Sequence, residues 1–600
     1  MNTVLKSVGE TAPLQRQPTE HFFSTHDGQR LFYRYWSAVQ GAPRGTVVLF
    51  HRGHEHGGRI SHLVDELNLP DMAFVAWDAR GHGRSPGPRG FSPSFGTSVR
   101  DIQTFMTHLQ TEHGAHPQDV HVIAQSVGAV LVSTWVHDYA PQIRGMTLAS
   151  PAFKVKLYVP FARTGIRLWQ SLVGQFYVNS YVKARFLTHD TQRIESYESD
   201  PLIARPIASH ILLGLYEAAE RVVADAAAIT VPTQLLISGS DWVVHKGPQK
   251  AFFQRLGSSV KSMQELPGFF HDTLGERDRA PAVQSIRTFI QQRFAAPSSA
   301  SADLRLAHRQ GPTFDESQAL SQPLSLLSPR GAYWALTRLG LRLGGYFSDG
   351  IKLGHATGFD SGSTLDYVYR NQAQGKGPLG RLIDRLYINS IGWRGIRVRK
   401  VHVQELLDQA MHRVQELGMS VRMLDIAAGH GRYVLDAVAA STVKPQAIVL
   451  RDYSDINVRD GAALIKARGL SGIARFIKGD AFDRASLATL QPEPTVAVVS
   501  GLYELFPDNQ MVSESLAGLA DAMPEGACLV YTGQPWHPQL EMIARALTSH
   551  RQGQAWVMRR RTQQEMDQLV AAAGFRKVTQ RVDEWGIFTV SMAVRVRTID

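Results

Sequence analysis

Short apolar runs rich in β-branched and aromatic residues return along the whole chain, separated by longer helical stretches. They read TVVLF, AFVAW, VHVIAQ, MTLAS and TQLLIS in the first half, and VRMLDIA, AIVLRDY, TVAVVS and ACLVYTG in the second. Strands that recur between helices assemble into mainly parallel sheets with helices on their faces, so the pattern predicts α/β architecture and excludes a helical bundle. Between the two sets lies AAPSSASADLRLAHRQGPTFDESQALSQ, rich in Ser, Ala, Pro and Gln and poor in large apolar residues. Such composition predicts a linker over 296–322, dividing the 600 residues into an α/β domain at 1–295 and a second at 323–600, whose core spans about 400–595. No internal repeat is found. A hydrophobic content of 44% and a charged content of 20% oppose disorder.

The single cysteine, Cys528, excludes an intrachain disulfide and any multi-cysteine metal site, and favours a reducing compartment. The net charge of +11 is shared evenly between the halves and forms no basic stripe, so no nucleic-acid partner is expected. The N-terminus has no apolar core of a signal peptide, and no uncharged apolar run reaches the roughly 20 residues needed to span a bilayer. A cytoplasmic protein of open oligomeric state is the expectation.

In open α/β sheets chemistry gathers at the C-terminal ends of the strands. In VHVIAQSVGAVLVSTW a strand runs directly into Ala124-Gln125-Ser126-Val127-Gly128 and then a helix. Such a strand-to-helix turn needs small residues two before and two after the serine; Gly128 fits, and Ala124 stands where a glycine is usual. A helix-capping serine is the bland alternative. Against it, Asp241 follows TQLLISGS and His271 follows LPGFF, completing the chain order serine, acid, histidine. His271 would then take the serine proton and Asp241 would hold the imidazole. TVVLF leads into His51-Arg52-Gly53-His54-Glu55-His56, where the N–H groups of Gly53 and Val127 are candidate oxyanion donors. The His51, His54, Glu55, His56 cluster is of metal-ligating type. Hydrolytic metal sites usually add carboxylates at other strand ends, however, and the serine set already supplies a nucleophile, so no metal is expected.

FHRGHEHGGR, AWDARGHGRSPGPRG, AQSVG, SGSDWVVH and PGFFHDTLGE, in this order, resemble the monoacylglycerol lipase and lysophospholipase branch of the α/β-hydrolase fold over about residues 20–295. The resemblance implies a serine hydrolase with nucleophile, acid and base at Ser126, Asp241 and His271 and oxyanion donors at Gly53 and Val127. It also implies structural roles for Asp78, Arg80 and His82 and a cap at about 153–228. His51-Arg52 stands where the family has His-Gly, and a cation there is expected to reshape the loop or meet an anionic headgroup. In the cap, aromatic and aliphatic residues alternate with Lys154, Lys156, Arg163, Arg167, Lys183 and Arg185. This suits an acyl chain beside an anionic membrane surface, or simply a helix with one buried and one solvated face.

In the second half VRMLDIAAGHGRY ends a strand in Asp425 and passes through Ala427, Gly429 and Gly431 into a helix, while AIVLRDY ends in Asp452, placed to bind ribose hydroxyls. An acid at the position of Asp425 is expected to accept from ligand N–H groups. No P-loop is present, and the dinucleotide fingerprint fails at Ala427 and Val434. LDIAAGHG, Asp452 and IKGDAF resemble the class I S-adenosylmethionine-dependent methyltransferases. This implies a Rossmann-like domain that binds S-adenosylmethionine through Asp425, Ala427, Gly429, Gly431, Asp452, Asp480 and Ala481. Gly358–Asn371 and the stretch beyond it are similar to the accessory segment of a methyltransferase family found fused to α/β-hydrolases. A scaffold that has lost the cofactor is the alternative. Tyr367, Tyr369, Tyr503, Glu504 and His537 are candidate acceptor-pocket residues, although aromatics at such spacing more often belong to a core.

The expectation is therefore a bifunctional enzyme, a lipid-ester hydrolase with peripheral contact at the inner membrane face through its cap, joined to a methyltransferase of unknown acceptor. The rivals are an acyltransferase in the first half, or a protein with one inactive, regulatory domain.

Overall fold

The computed structural model describes residues 15–180, 182–297, 302–551 and 553–596. Contacts divide the chain between Ala302 and Asp303 into two units.

The first unit carries β1 (Thr19–Ser24), β2 (Arg30–Trp36), β3 (Gly45–Phe50), β4 (Met72–Trp77), β5 (Val120–Gln125), β6 (Gly145–Ala149), β7 (Tyr177–Asn179), β8 (Pro206–Ala208), β9 (Thr233–Ser238) and β10 (Lys261–Leu266). Eight of these form one sheet in the order β1-β2-β4-β3-β5-β6-β9-β10, parallel from β4 to β10 and antiparallel at β1 and β2. Strands β3, β4, β5, β6 and β9 are buried throughout, as expected where helices cover both faces, which is why they read as unbroken apolar runs. The insertion between β6 and β9 holds the antiparallel β7–β8 pair and the helices Ala162–Val173, Thr191–Ser199 and Ser209–Ala224.

The second unit carries β11 (Arg422–Asp425), β12 (Ala447–Asp452), β13 (Ala474–Lys478), β14 (Val496–Val499), β15 (Cys528–Gly533), β16 (Phe575–Val582) and β17 (Thr589–Arg595). Their order is β13-β12-β11-β14-β15-β17-β16, all parallel except β17, which is antiparallel to both neighbours. The strand order reverses between β11 and β14, and at such a switch point the loops diverge and leave a crevice. One face packs on the helix Ile391–Glu416 through Val403, Leu406, Leu407, Ala410, Met411 and Val414.

Composition predicts a linker over 296–322, but part of this segment folds onto the second unit. Pro312–Ser321 is a helix held mainly by polar contacts: Arg559 donates to Thr313 (3.1 Å), Arg560 to Glu316 (2.5 Å) and Arg545 to the carbonyl of Ala319 (3.0 Å), while Leu320 enters an apolar cluster. A helix fixed by arginines from elsewhere in the chain needs few large apolar residues of its own, hence its linker-like composition.

Candidate active sites

β5 ends at Gln125 and the next helix begins at Val127, so Ser126 alone turns the chain. It does so at φ 56° and ψ −116°, a region that side chains bearing a Cβ rarely enter. The turn is pinned: Ser126 N–H donates to Ala149 (3.0 Å), and its carbonyl accepts from Val130 (3.2 Å) and Ala152 (3.1 Å). A Cβ on Gly128 would lie 2.4 Å from the His51 carbonyl oxygen, which explains the small residue there. Ser126 Oγ is 2.7 Å from His271 Nε2, and His271 Nδ1 is 2.8 Å from Asp241 Oδ2; all three residues are buried. Asp241 Oδ1 accepts from the N–H groups of Val243 (2.7 Å) and Val244 (2.9 Å). Burial pushes the Asp241 carboxyl up, but His271 and these N–H groups outweigh it and hold the acid below its ordinary value. An ionised acceptor at Nδ1 fixes the proton on that nitrogen and leaves Nε2 free to accept from the Ser126 hydroxyl.

Val127 opens a helix, so its N–H lies outside the helical ladder. Gly53 is beside it, since a Cβ there would fall 2.9 Å from Val127 Cγ2. The structure thus brings all five expected residues of the first half together.

Arg52 is not presented to a headgroup. It is buried, donates to Glu55 (2.7 Å), stands 3.9 Å from Asp272 and lies over the Tyr197 ring. Burial opposes its charge, yet Glu55 and Asp272 hold the guanidinium above its ordinary value. Asp272 also accepts from Arg193 (2.9 Å) and Gln125 (3.1 Å), so this buried ionic cluster anchors the residue next to His271 and faces no headgroup. The neighbouring histidines are engaged by the protein itself. His51 Nε2 accepts from Ala79 N–H (3.0 Å), His54 Nδ1 pairs with the Ala204 carbonyl (2.6 Å), and His56 Nε2 pairs with Asp200 (2.9 Å). Asp78 accepts from Gly57 and Arg84 N–H groups (2.7 Å each), and Arg80 bridges Asp101 and Asp27. In the cap, the helix Ala162–Val173 buries none of its residues and exposes Leu168, Trp169 and Leu172, while Arg163 and Arg167 pair with Glu220 and Glu217.

In the second unit a cavity of about 930 Å³ lies at the ends of β11, β12 and β14. Ala427, Gly429, Gly431, Asp452, Asp480 and Ala481 line it. Gly429 and Gly431 have φ of 57° and 72°, and a Cβ on Gly431 would lie 2.4 Å from Leu450 Cδ1, so the loop needs glycine there. Asp452 Oδ2 accepts from Gly429 N–H (2.9 Å), and Oδ1 from Ser454 N–H (2.9 Å) and Asn457 (3.0 Å). A carboxylate has about four acceptor sites, so one remains, on Oδ2.

Asp425 does not line the cavity, contrary to expectation. Fully buried, it accepts from Tyr433 O–H (2.5 Å) and Ala427 N–H (3.2 Å), and burial pushes its carboxyl up to about 7. Tyr433, eight residues on in the following helix, turns the acid inward. Sequence reasoning also missed a latch: Asp366 pairs with Arg432 (2.5 Å) and His430 (3.7 Å), binding the accessory helix Gly362–Arg370 to the glycine loop. At its start a Cβ on Gly362 would lie 3.0 Å from the Gly429 Cα, so the two backbones nearly touch. Complementary charges on quoted motifs were its only signal. Of the acceptor candidates, Tyr369 lines this cavity, Glu504 and His537 line another, and Tyr367 and Tyr503 are buried against Asp384 (2.6 Å) and Ser515 (3.0 Å).

The room, the glycines that bring backbone to the wall and the remaining acceptor on Asp452 fit a nucleoside-bearing cofactor of the S-adenosylmethionine type. Residues 286–595, more than half of the chain, match the family described as "Putative methyltransferase". The chain belongs to that family. Residues 41–278 match the family described as "Serine aminopeptidase, S33". The chain is 58% identical to the uncharacterized protein YnbC of Escherichia coli (strain K12), over 97% of this chain and 99% of the relative. It is 26% identical to human monoglyceride lipase over 46% of this chain and 91% of the lipase. Among solved structures, the monoacylglycerol lipase of Paleococcus ferrophilus covers 46% of this chain and 99% of its own length at 22% identity, with a TM-score of 0.39. The first unit is a monoglyceride-lipase-like α/β-hydrolase domain, and the second is a sheet-and-helix methyltransferase-family domain. Among the described residues no helix is long and apolar enough to cross a membrane.

Proposed function

We propose that the protein has two activities, hydrolysis of a lipid-like acyl ester at Ser126 and S-adenosylmethionine-dependent methyl transfer in the second unit. The hydrolase reading is carried by one observation, the buried hydrogen-bonded chain from Ser126 through His271 to Asp241. In that chain Ser126 Oγ attacks the ester carbonyl, its proton moves to His271 Nε2, and Asp241 stabilises the imidazolium. The N–H groups of Gly53 and Val127 receive the developing oxyanion. His271 returns the proton to the leaving alcohol, and water then releases the acid by the same steps in reverse order. The lipid-like substrate is supported by the lipase relatives and by the apolar cap, where contact with a membrane surface would be made. Ser126→Ala is expected to abolish labelling by a fluorophosphonate and to lower esterase kcat by about a million-fold, as removal of such a nucleophile does. With the wild type, kcat/KM should climb along an ester series from acetyl to decanoyl, each methylene buried on binding contributing about 0.8 kcal/mol. Retained labelling of the variant, or a flat series, contradicts the corresponding half of this reading.

In the second unit, S-adenosylmethionine would supply an electrophilic methyl group. Asp452, with its remaining acceptor on Oδ2, would hold the ribose, the Gly429–Gly431 backbone would border the ligand, and Asp480 and Ala481 would flank the base. The accessory helix, latched through Asp366, would help to exclude water.

A further inference from the structure

The second unit holds another cavity, of about 390 Å³, which shares Asp360, Leu365, Gly501 and Leu505 with the glycine-loop cavity as common wall. Its lining is mostly carbon, including Leu341, Ile396, Ile543, Met558 and Phe588. Five lining residues nevertheless carry a buried polar atom with no hydrogen-bond partner among the described residues: Glu504 Oε2, Arg399 Nε, Gln534 Nε2, Trp556 Nε1 and Tyr387 Oη. Buried polar atoms are almost always hydrogen-bonded, so five on the wall of one apolar cavity point to a ligand that serves them.

Glu504 is the only carboxylate among the five, beside three N–H donors and the Tyr387 hydroxyl, which can donate or accept, and it is held in place. Gly501 N–H donates to Thr532 Oγ1 (2.8 Å), Thr532 O–H donates to Glu504 Oε1 (2.6 Å), and Arg399 Nη1 stands 3.8 Å from that same oxygen. Oε1 is therefore occupied and Oε2 is left over. An ammonium ligand would serve Glu504 and the Tyr387 oxygen but none of the three N–H donors, and a carboxylate would serve those donors while facing Glu504. A hydroxyl both donates and accepts, and so matches the set. The way in is apolar as well. Leu386 lines the cavity and is 68% exposed, exposed Leu382 and Leu379 precede it by about one and two turns on its own helix, Gly377–Ile388, and the helix Pro329–Gly344 exposes Leu336, Leu339 and Leu343. The two helices approach at Gly344 and Ile383, where a Cβ on the glycine would fall 3.9 Å from Ile383 Cγ2.

We propose that this cavity receives the methyl acceptor, and that the acceptor is an apolar amphiphile whose reacting group is a hydroxyl hydrogen-bonded to Glu504. The proposal rests on the methyltransferase reading above. The hydroxyl oxygen forms the new C–O bond as the C–S bond of the sulfonium donor breaks. The bonding pair stays on sulfur, and the hydroxyl proton passes to Glu504 Oε2.

The test uses the full chain, with S-adenosylhomocysteine binding measured by calorimetry alongside. Three ten-carbon probes carrying a diazirine at the tail and ending in an alcohol, a carboxylate or an amine are photolysed with the protein, and labelled peptides are mapped by mass spectrometry. The alcohol is expected to label peptides containing Leu341, Ile396 or Ile543 at least ten-fold more than either analogue does. Glu504→Leu should cut that labelling about ten-fold while leaving S-adenosylhomocysteine binding within three-fold, and Glu504→Gln, which keeps an acceptor oxygen, should retain it. Labelling confined to the first unit, or equal labelling by the three head groups, overturns the inference while nucleoside binding persists. Failure of the wild type to bind S-adenosylhomocysteine overturns the methyltransferase reading itself, and the inference with it.

Discussion

At the scale of single residues, two buried acids decide how the sites are held. Asp272 is the shared partner of Arg52 and Arg193. Asp272→Ala would leave both cations without it, and loss of one member of a buried ion pair costs about 3–5 kcal/mol. Urea denaturation should show that loss in the first unit; an unchanged midpoint would contradict a structural role for the cluster. Asp425 behaves oppositely. Its folded carboxyl titrates near 7, above the ordinary 3.8, so the folded state holds the proton between these values and the unfolded state does not. Stability from this group is present below about pH 3.8 and is lost as pH rises through 7. Melting of the second unit should therefore fall between pH 5 and 8, and Asp425→Asn should flatten that slope; an unaltered slope would place the proton elsewhere. The positions of Ser126, Asp241 and His271 were legible because each ends or follows a strand of one sheet. The cluster around Arg52 was not, because Tyr197, whose ring faces its guanidinium, and Arg193, which shares Asp272 with it, come from the cap. The inward turn of Asp425 was not legible, because a strand-end acid can face ligand or core, and Tyr433 decides which.

At the scale of elements, the accessory helix Gly362–Arg370 is the part whose placement matters most, since it joins the glycine loop through one acid and one pair of touching backbones. Asp366→Asn would weaken the charged pairs to Arg432 and His430. Hydrogen bonds to charged groups contribute roughly 1.5–3 kcal/mol, so S-adenosylmethionine affinity should fall about ten-fold or more with the circular dichroism spectrum unchanged. Equal affinities in a calorimetric comparison would show that the helix borders the cavity without shaping it. The strands themselves were legible, because burial on both faces demands unbroken apolar runs. The helix Pro312–Ser321 was not, because side chains from residues 545–560 fix it.

At the scale of the whole molecule, the division at Ala302/Asp303 gives each unit its own sheet, core and candidate site. The two-domain α/β organisation followed from the alternation of strands and helices alone, whereas the acceptor cavity was out of reach. Its wall gathers residues from 340 to 588 whose only common property is where the chain brings them. Two sites with separate residues should work separately. The central claim is tested most directly by titrating S-adenosylmethionine calorimetrically into the full chain after exhaustive fluorophosphonate treatment, with the intact mass of the same sample recorded. The account predicts one phosphonyl adduct, absent in Ser126→Ala, and binding of one cofactor per chain with the same Kd as untreated protein. A chain that takes up no adduct, or one that shows no heat of binding at millimolar cofactor, would contradict it.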